Sequence, residues 1–577
     1  MGCAHQARRF RNHVGTIHRA FSNRLHSTGK LLAYSMVPQA TSSAEFTLRD
    51  LWRSMMPRLG TKGSPSVPRW PPDVFALCAY SLRQAAAYVH VLSNWPPRGT
   101  ATPEWGIHCE EVAGAWQHAI AGREPTLPDS VLQCWSTIAK GFDRPLSELR
   151  GRESRVAQAI VELMAYADQA CRPFTAPPGE EPVDSVLFES LGLIQLQKNG
   201  WRSVCNEIDP SRLRVLPKSR VPQRGLTIRS LSLYASLVEG AEIETTFYDN
   251  RQWGEDLKIN VLVLPWPFEV LPSQFRPNDR LPAEMGTMSS DFGFFTYEGR
   301  HSGRSFIPGL RRLLEEAISD CGRISMVILP ELALTAREAT NVRELLAGYE
   351  CVLITGVGAA GISGHQRGSN RVQLYSPGMK PVEQEKHHRW KLDNSQIMQY
   401  SLGSSLYHAK AWWEHIDLST RRLSFVRLAP WLNICALICE DLARPDPAGD
   451  IVRAVAPNLV VSLLMDGPQL MSRWASRHAA TLAEDPGSSV LTITSLGMAR
   501  LSRPSNGASR DRVIALWKEE GASAVEIELP DNRRAVVLSV SMKACKDWSA
   551  DGRLRQSAIP SLTGVRFLKG DRLPADR

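Results

Sequence analysis

The sequence predicts an α/β fold preceded by a mainly helical region. From about residue 256 onward, short continuous runs of Val, Ile and Leu, bounded by Gly or Pro, alternate with segments of helical periodicity. Such runs are typical of strands buried on both faces, which occur where helices cover a central sheet. Between residues 45 and 200, apolar residues instead recur at spacings of three and four, the pattern of amphipathic helices.

These patterns place the individual elements and divide the chain. In the helical region we predict helices at 73–93, 112–120, 130–142 and 154–171. In the α/β region we predict helices at 306–321 and 335–349, and strands at 259–264, 325–329, 352–357, 371–375, 433–438, 459–464, 490–494, 524–529 and 535–540. The predicted organisation is a basic tail at 1–44, a helical domain with a connector at 45–240, an α/β domain at 256–545 and a C-terminal tail at 546–577.

The composition argues against a membrane-spanning protein and against a broad nucleic-acid-binding surface. A hydrophobic fraction of 43% and a charged fraction of 22% are ordinary for globular proteins, and no run of 18 apolar residues is present that could span a bilayer. The net charge is +9, but residues 1–44 contain six basic residues and no acidic residue, which leaves +3 for the other 533 residues. A broad nucleic-acid-binding face on the folded part is therefore not expected.

The acid-free start, residues 1–44, is open to more than one interpretation. We interpret it as a disordered tail or as the product of an early start codon, with Met36 as the alternative start. Its Arg and Ser content also fits a mitochondrial transit peptide, which is the alternative.

The cysteines indicate reduced thiols. The chain has eleven, an odd number, without a Cys-x-x-Cys pair and without histidines at metal-ligand spacing. We therefore predict a cytoplasmic protein with no bound metal and no cofactor, in which one thiol is free to act as a nucleophile.

Three residues in the α/β region have the chemistry of a nucleophilic site. Cys439 follows the apolar run 432–438, where a buried strand opens into a loop, and Glu331 closely follows the run 327–329. Lys386 lies between them in the sequence. A thiolate attacks an amide or nitrile carbon when a base removes its proton and a cation stabilises the charge formed on the oxygen or nitrogen. Glu331, Lys386 and Cys439 are thus candidates for base, cation and nucleophile; a buried structural thiol is the alternative for Cys439.

The flanking residues resemble the nitrilase, or carbon-nitrogen hydrolase, superfamily. Pro330-Glu331-Leu332 and Ile438-Cys439-Glu440-Asp441-Leu442 are similar to the family's motifs, and Asn370-Arg371-Val372 resembles its asparagine-containing strand. The resemblance implies a four-layer α-β-β-α sandwich at 256–545 that hydrolyses a non-peptide carbon-nitrogen bond through a thioester or thioimidate. It also implies a small-molecule amide or nitrile substrate and a homo-oligomer.

The lysine is less well defined than the other two residues. Lys386-His387-His388, followed by Asp393, resembles the family's Lys-x-His arrangement, and Lys391 and Lys410 are rivals. Asp393 stands where the family usually has a second glutamate, so its expected role is to orient the lysine. The backbone N–H of Glu440 is the expected second donor to the oxyanion.

The spacing implies an insertion before the nucleophile. Lys386 and Cys439 are 53 positions apart, more than is usual in the family, which places an insertion at about 398–419. Met465 and Asp466 lie where the family has substrate contacts, with a strand followed by a turn as the alternative. The insertion is interpreted as a lid, as a partner surface, or as a loop packed by its own aromatic residues, Tyr400, Tyr407, Trp412 and Trp413.

Two segments of the helical region suggest another function. Tyr166-Ala167-Asp168-Gln169 resembles the Tyr-x-Asp-Asp turn of reverse transcriptases, but Gln169 replaces the second metal-binding carboxylate, so we predict a helix at 160–170. The connector at 214–230 resembles the segment that precedes nitrilase-like modules in reverse-transcriptase-associated antiviral defence systems. One alternative is therefore an accessory module with a defence-system protein or nucleic-acid partner. Another is a scaffold that binds a ligand without turnover.

Overall fold

A computed structural model describes the chain from residue 46 to residue 573, apart from short segments. The chain divides into two units, 1–45 and 46–577, and the first lies outside the described residues, so the nature of the 1–44 tail stays a prediction. The residues within the second unit that are not described are 58–65, 93–102, 123–125, 176–182, 223, 241–242, 251–252, 254–255, 279–290, 300–302, 304, 360–367, 503–509, 571–572 and 574–577.

The region before residue 200 is helical, as predicted. Helices α2 and α6 pack against each other, and most of α6 is buried, which explains why its sequence is apolar on more than one face. The helices of this region are α1 (Leu48–Met55), α2 (Pro71–Gln84), α3 (Val89–Leu92), α4 (Pro103–Ile120), α5 (Asp129–Ala139), α6 (Arg155–Ala170) and α7 (Val183–Lys198).

The segment that resembles a polymerase turn is part of helix α6, as predicted. Asp168 is fully buried and accepts hydrogen bonds from the backbone N–H groups of residues 233–235 at 2.7–3.0 Å. It also forms an ion pair with the buried Arg553, at 3.0 Å. This carboxylate therefore joins the helical region to the connector and to the C-terminal strands.

Asp168→Ala is expected to lower the free energy of unfolding by about 3–5 kcal/mol. The substitution leaves the Arg553 guanidinium without one of its carboxylate partners in the interior and removes the acceptor of three backbone N–H groups. The shift of the urea unfolding midpoint measures the effect. Asp143→Ala, which removes an exposed carboxylate paired with Arg49, is the control and should leave the midpoint unchanged. Equal midpoints in the two variants would contradict the role given to Asp168.

Most strands of the molecule belong to the region after residue 240. The eight strands predicted between residues 259 and 529 are all present, whereas seven others among the described residues of this range were not predicted: Phe275–Asn278, Phe292–Tyr297, Val382–Glu385, Lys391–Leu392, Ala411–Glu414, Arg422–Ala429 and Val513–Lys518. The strands are β1 (Leu213–Pro217), β2 (Ala235–Glu239), β3 (Glu244–Asp249), β4 (Lys258–Val263), β5 (Phe275–Asn278), β6 (Phe292–Tyr297), β7 (Met326–Leu334), β8 (Val352–Ala359), β9 (Ser369–Tyr375), β10 (Val382–Glu385), β11 (Lys391–Leu392), β12 (Ala411–Glu414), β13 (Arg422–Ala429), β14 (Leu432–Ile438), β15 (Leu459–Leu464), β16 (Ser489–Thr494), β17 (Val513–Lys518), β18 (Val525–Glu528), β19 (Ala535–Trp548) and β20 (Leu554–Leu568).

Two seven-stranded sheets form a four-layer α-β-β-α sandwich, as predicted. One has the order β10-β9-β8-β7-β4-β19-β20 and the other β18-β17-β16-β15-β14-β13-β3. The sheets face each other, with β7 against β15 and β16, and helices cover both outer faces. The helices of this region are α8 (Phe306–Cys321) and α9 (Ala336–Ala347) on the first sheet, α12 (Trp474–Glu484) on the second, and α10 (Asn394–Gln399), α11 (Asp450–Val455) and α13 (Leu496–Leu501).

The predicted ends of the α/β region are wrong. Strand β3 pairs with β13, so the second sheet includes residues before 256, and the helical region shares one unit with the sandwich. The expected tail at 546–577 contains β20, which pairs with β19 along its whole length. Strand β20 contains Pro and Gly and lies at the edge of its sheet, where both residues are tolerated.

The predicted insertion is part of a third sheet. Strands β5, β6, β11 and β12 form a four-stranded sheet in the order β11-β12-β6-β5. We call these strands, together with residues 390–410, the cap. Its apolar residues form a cluster separate from the main core, and Met465 and Met498 of the sandwich complete that cluster. Tyr400 and Trp412 are buried in it, whereas Tyr407 is 60% exposed.

No helix among the described residues has the length and apolar character needed to cross a membrane.

Candidate active site

Cys439 occupies a turn at the end of a buried strand, where the sequence placed it. Strand β14 ends at Ile438, and a short 3-10 turn spans Cys439–Leu442. Cys439 has a φ of +44°, in the left-handed region that residues with a side chain rarely adopt. Strained backbone of this kind is concentrated at functional sites. The residue is 4% exposed, so its thiol lies in the interior.

Glu331 and Lys386 form a buried ion pair. The Lys386 ammonium donates to Glu331 Oε1 at 2.8 Å, and both side chains are 1% exposed. Glu331 lies in β7, within the stretch from Leu329 to Leu334 where pairing with β8 is interrupted. The structure therefore brings together the carboxylate and the cation that the sequence proposed.

The second carboxylate at the lysine is Glu414, which the sequence analysis missed. The Lys386 ammonium donates to Glu414 Oε2 at 2.8 Å, so it lies between two glutamates. The predicted residue, Asp393, instead caps the N-terminus of α10, where its side chain accepts from the Gln396 N–H. The assignment of Asp393 to the lysine is therefore wrong. The available signal was that Glu414 follows the apolar pair Trp412-Trp413, as Glu331 follows its own apolar run.

Further donors hold the two glutamates in place. The Asn370 side-chain amide donates to Glu331 Oε1 at 2.7 Å and to Glu414 Oε1 at 2.8 Å. The Met465 backbone N–H donates to Glu331 Oε2 at 2.6 Å. Asn370 and Met465 were both singled out from the sequence, and the structure places both at the site.

A glycine is required where β8 passes Glu331. A Cβ atom on Gly356 would lie 2.4 Å from the Pro330 carbonyl oxygen and 2.4 Å from the Leu332 nitrogen. Leu332 itself has a φ of +54°. The backbone around Glu331 is thus bent towards β8, and only glycine allows that approach.

The rival lysines lie elsewhere. Lys391 is exposed, with its ammonium 5.5 Å from the centre of the Trp413 ring. Lys410 lies in the turn before β12 and is half-buried. Among these three lysines, the buried contact with Glu331 belongs to Lys386.

The two histidines after the lysine contact the nucleophile turn through Asp441. The backbone N–H of His387 donates to both oxygens of the buried Asp441 carboxylate, at 3.2 and 3.1 Å. His388 Nδ1 lies 2.9 Å from Asp441 Oδ1. The segment that carries Lys386 is thereby joined to the turn that carries Cys439. These contacts agree with the structural role expected of the histidines.

Asp466 is buried beside the site, whereas the Glu440 side chain points away from it. Asp466 accepts from Arg473 at 2.6 Å, from the Trp474 indole N–H at 2.9 Å and from the Tyr400 hydroxyl. The Glu440 carboxylate is 24% exposed and lies 3.5 Å from the Arg444 guanidinium. Of the groups of Glu440, the backbone N–H is therefore the candidate donor to an oxyanion.

Burial and the neighbouring charges shift the pKa values of the site's ionisable groups in opposite directions. Burial raises the pKa of the Cys439 thiol, and the Glu331 charge raises it further, while the Lys386 charge lowers it. Burial also raises the pKa of Glu331, against the opposing effect of Lys386. Burial disfavours the Lys386 cation, but Glu331 and Glu414 together raise its pKa. The resting thiol is therefore protonated and needs a nearby base, and a glutamate with a raised pKa is suited to that task.

Comparison with known proteins finds similarity of structure only. No protein-family model matches the sequence, and no curated protein matches it significantly. The structure is similar to that of Nit3 from Saccharomyces cerevisiae, a member of branch 10 of the nitrilase superfamily. The identity is 10%, the match covers 49% of this chain and 90% of that chain, and the TM-score is 0.31.

Two enzyme structures give similar values. For an amidase from Nesterenkonia sp. the identity is 11%, the coverage 55% of this chain and 92% of the other, and the TM-score 0.27. For a carbon-nitrogen hydrolase from Helicobacter pylori the identity is 10%, the match covers 55% of this chain and 91% of the other, and the TM-score is 0.27. About half of this chain is thus similar to structures of the nitrilase and carbon-nitrogen hydrolase class.

Proposed function

We propose that the chain hydrolyses a non-peptide carbon-nitrogen bond of a small amide or nitrile, with Cys439 as nucleophile, Glu331 as base and Lys386 as the cation facing the oxyanion. The observation that supports this most directly is the buried Lys386 ammonium, held at 2.8 Å by both Glu331 and Glu414. The charges of Glu331 and Lys386 both act on the Cys439 thiol. A base, a cation and a nucleophile in one water-excluded site are the requirements of thiol-dependent acyl transfer.

In the first half of the reaction, Glu331 takes the thiol proton and the sulfur attacks the substrate carbon. With an amide, a C–S bond forms and the carbonyl electrons move to the oxygen. Lys386 and the Glu440 N–H stabilise the resulting oxyanion, a contribution of roughly 3 kcal/mol for each donor. The C–N bond then breaks, ammonia leaves with the proton held by Glu331, and a thioester remains on Cys439.

In the second half, Glu331 takes a proton from water and the hydroxide attacks the thioester carbon. The C–S bond breaks, the thiol recovers its proton, and the carboxylic acid is released. With a nitrile, the first attack gives a thioimidate, and addition of water with loss of ammonia converts it to the same thioester. Glu331 therefore serves both halves, which is consistent with the three hydrogen bonds that hold its oxygens, from Lys386, Asn370 and Met465.

The energetics of the site favour an enzyme over a ligand-binding scaffold. An ammonium and two carboxylates buried together lose most of their hydration, and such groups are often replaceable by apolar residues without loss of stability. A chemical task explains why the chain keeps them. We do not propose the accessory role in a defence system, because no observation on the described residues favours it.

The test is the rate of alkylation of Cys439 by iodoacetamide in the wild type and in Glu331→Gln, mapped cysteine by cysteine. If Glu331 is the base, the glutamine variant has no acceptor for the thiol proton, and alkylation at pH 7 should slow by about 100-fold. If Glu331 only adds negative charge, the opposite result is expected, because its removal lowers the thiol pKa and speeds alkylation. The sign of the change therefore decides between the two.

Two other thiols provide the reference in the same sample. Cys321 and Cys545 are partly exposed, and neither contacts Glu331. Their alkylation should be equal in the two proteins. An unchanged or faster rate at Cys439 would refute Glu331 as the base.

A further inference from the structure

The catalytic groups of the proposed site are closed off on one side by the cap. Cys439 is 4% exposed, Glu331 3% and Lys386 1%. The Lys386 ammonium contacts Glu331 from the sandwich on one side and Glu414 from cap strand β12 on the other. Within the part of the chain that the structure describes, these three groups therefore have little contact with solvent.

The cap has an apolar cluster of its own, so it can move as a unit. Its buried aromatic and aliphatic residues form a cluster of their own, distinct from the main core of the sandwich. The sandwich contributes Met465 and Met498 to this cluster, Val270 is buried in it as well, and Leu332 and Leu501 pack against it. Separating the cap from the sandwich would therefore expose this small contact and leave the main core intact.

Tyr400 makes a buried polar contact between the cap and the sandwich, in addition to the contacts of Gln399 with Ser502 and of Glu414 with Asn370 and Lys386. It follows helix α10, is 2% exposed, and donates its hydroxyl proton to Asp466 of the sandwich. The same hydroxyl oxygen lies 3.4 Å from the Gly467 N–H and 3.5 Å from Arg473. A buried hydroxyl bound to an ionised group is a strong contact, and its loss leaves the carboxylate under-solvated.

Asp466 connects this contact to the catalytic glutamate. It directly follows Met465, whose backbone N–H donates to Glu331 Oε2 at 2.6 Å. Its own carboxylate is held by Arg473 and Trp474 as well as by Tyr400. Tyr400 of the cap thus binds the residue next to Met465, whose N–H binds Glu331, while Glu414 of the cap contacts Lys386 directly.

We infer that the cap is a movable cover over Cys439, and that Tyr400 is the positioning residue that holds it closed and thereby completes the charged site. The inference rests on the proposed function in that Cys439 is the group the substrate must reach. Tyr400 acts through Asp466, whereas Glu414 reaches the lysine directly. Opening admits the substrate and separates Glu414 from Lys386; closing restores both contacts and excludes water.

The experiment compares Tyr400→Phe with the wild type in the full chain, using iodoacetamide as the probe. Removing the hydroxyl weakens the closed state, so alkylation of Cys439 should be faster by about tenfold or more. Tyr407→Phe is the matched control, because Tyr407 lies in the same segment with its side chain exposed. It should label Cys439 at the wild-type rate.

Cys435 provides the internal reference. It lies in the same strand as Cys439 and is fully buried in the main core, so it becomes reactive only if the sandwich itself opens. Faster labelling of Cys439 with Cys435 unchanged supports the inference. Faster labelling of both thiols would mean that Tyr400 merely stabilises the whole fold. An unchanged rate at Cys439 would mean that Tyr400 does not keep the cap closed. Either result overturns the inference.

Hydrogen exchange gives a second readout that needs no thiol chemistry. In Tyr400→Phe, amides of residues 390–414 should exchange faster, while those of β15 keep their wild-type rates. Equal protection of residues 390–414 in the two proteins would overturn the inference. Failure of the proposed function appears differently, as an absent effect of Glu331→Gln, because that substitution tests proton transfer and Tyr400→Phe tests access.

Discussion

Cys439→Ala is expected to abolish ammonia release from any amide or nitrile that the wild-type chain hydrolyses, by a factor of at least about 10⁴. Alanine cannot form the thioester or thioimidate, and the remaining groups have no nucleophile to activate. The side chain is small and buried at the end of β14, so the secondary structure should be unaffected. Ammonia release and the far-UV circular dichroism spectrum measure the two parts of this expectation.

Cys435→Ala is the matched control for that experiment. Both thiols are buried and belong to the same strand and turn, but Cys435 lies inside β14, with its thiol near the Ala436 carbonyl. Its loss should leave ammonia release within about twofold of the wild type, since a structural thiol contributes packing only. Retained turnover in Cys439→Ala would remove Cys439 as the nucleophile.

Replacing Lys386 with methionine is expected to reduce turnover by about 10³-fold or more. The variant loses the cation that faces the oxyanion, an effect of about 10²–10³ by itself. It also loses the charge that lowers the pKa of Glu331, while Glu414 continues to raise it. The pKa of Glu331 therefore rises further, and at neutral pH a larger fraction of the base is protonated and inactive.

The pH profile of kcat should change in the same variant. Activity requires ionised Glu331, so it falls as the pH decreases through the pKa of that group, which lies above the usual range of a glutamate because of burial. In Lys386→Met the acidic limb of the kcat profile should move to higher pH. A limb that stays in place would show that the lysine does not act on the base.

Lys391→Met is the control that separates the two candidate lysines. Lys391 is exposed, over the Trp413 ring, and should be replaceable with less than a twofold change in turnover. Equal losses in the two variants, or a larger loss in Lys391→Met, would contradict the assignment to Lys386.

Much of the sandwich could be predicted from the sequence because its strands are buried on both faces. Runs such as 459–464 consist of apolar residues with Ser, and the predicted strand has the observed ends. The buried strands β13 and β17 were nevertheless missed. At the edge of a sheet, one side of a strand faces solvent, and polar residues, Pro and Gly are tolerated there. Strand β20 was therefore taken for a tail, although it pairs with β19 throughout.

The cysteine and the first glutamate were identifiable for a related reason. Each follows a continuous apolar run, so each had to lie where a buried strand ends or its pairing is interrupted, and the structure places them there. The second glutamate gave a weaker indication, because the apolar stretch before it is only the pair Trp412-Trp413. Glu414 follows a four-residue strand in a segment whose sequence fits a loop as well as a sheet. Asp393, at the expected spacing, was assigned to its place.

The sequence by itself predicted the positions of many buried strands, the candidate nucleophile and base, and the helical nature of the first region. These depend on local patterns: the spacing of apolar residues and the type of residue at a strand end. Only the tertiary structure decided which carboxylate joins Lys386, which segment covers the site, and that Asp168 joins the helical region to the rest. Each of these contacts joins residues at least 28 positions apart, and the closing of such a contact depends on how the intervening chain packs, which no local pattern encodes.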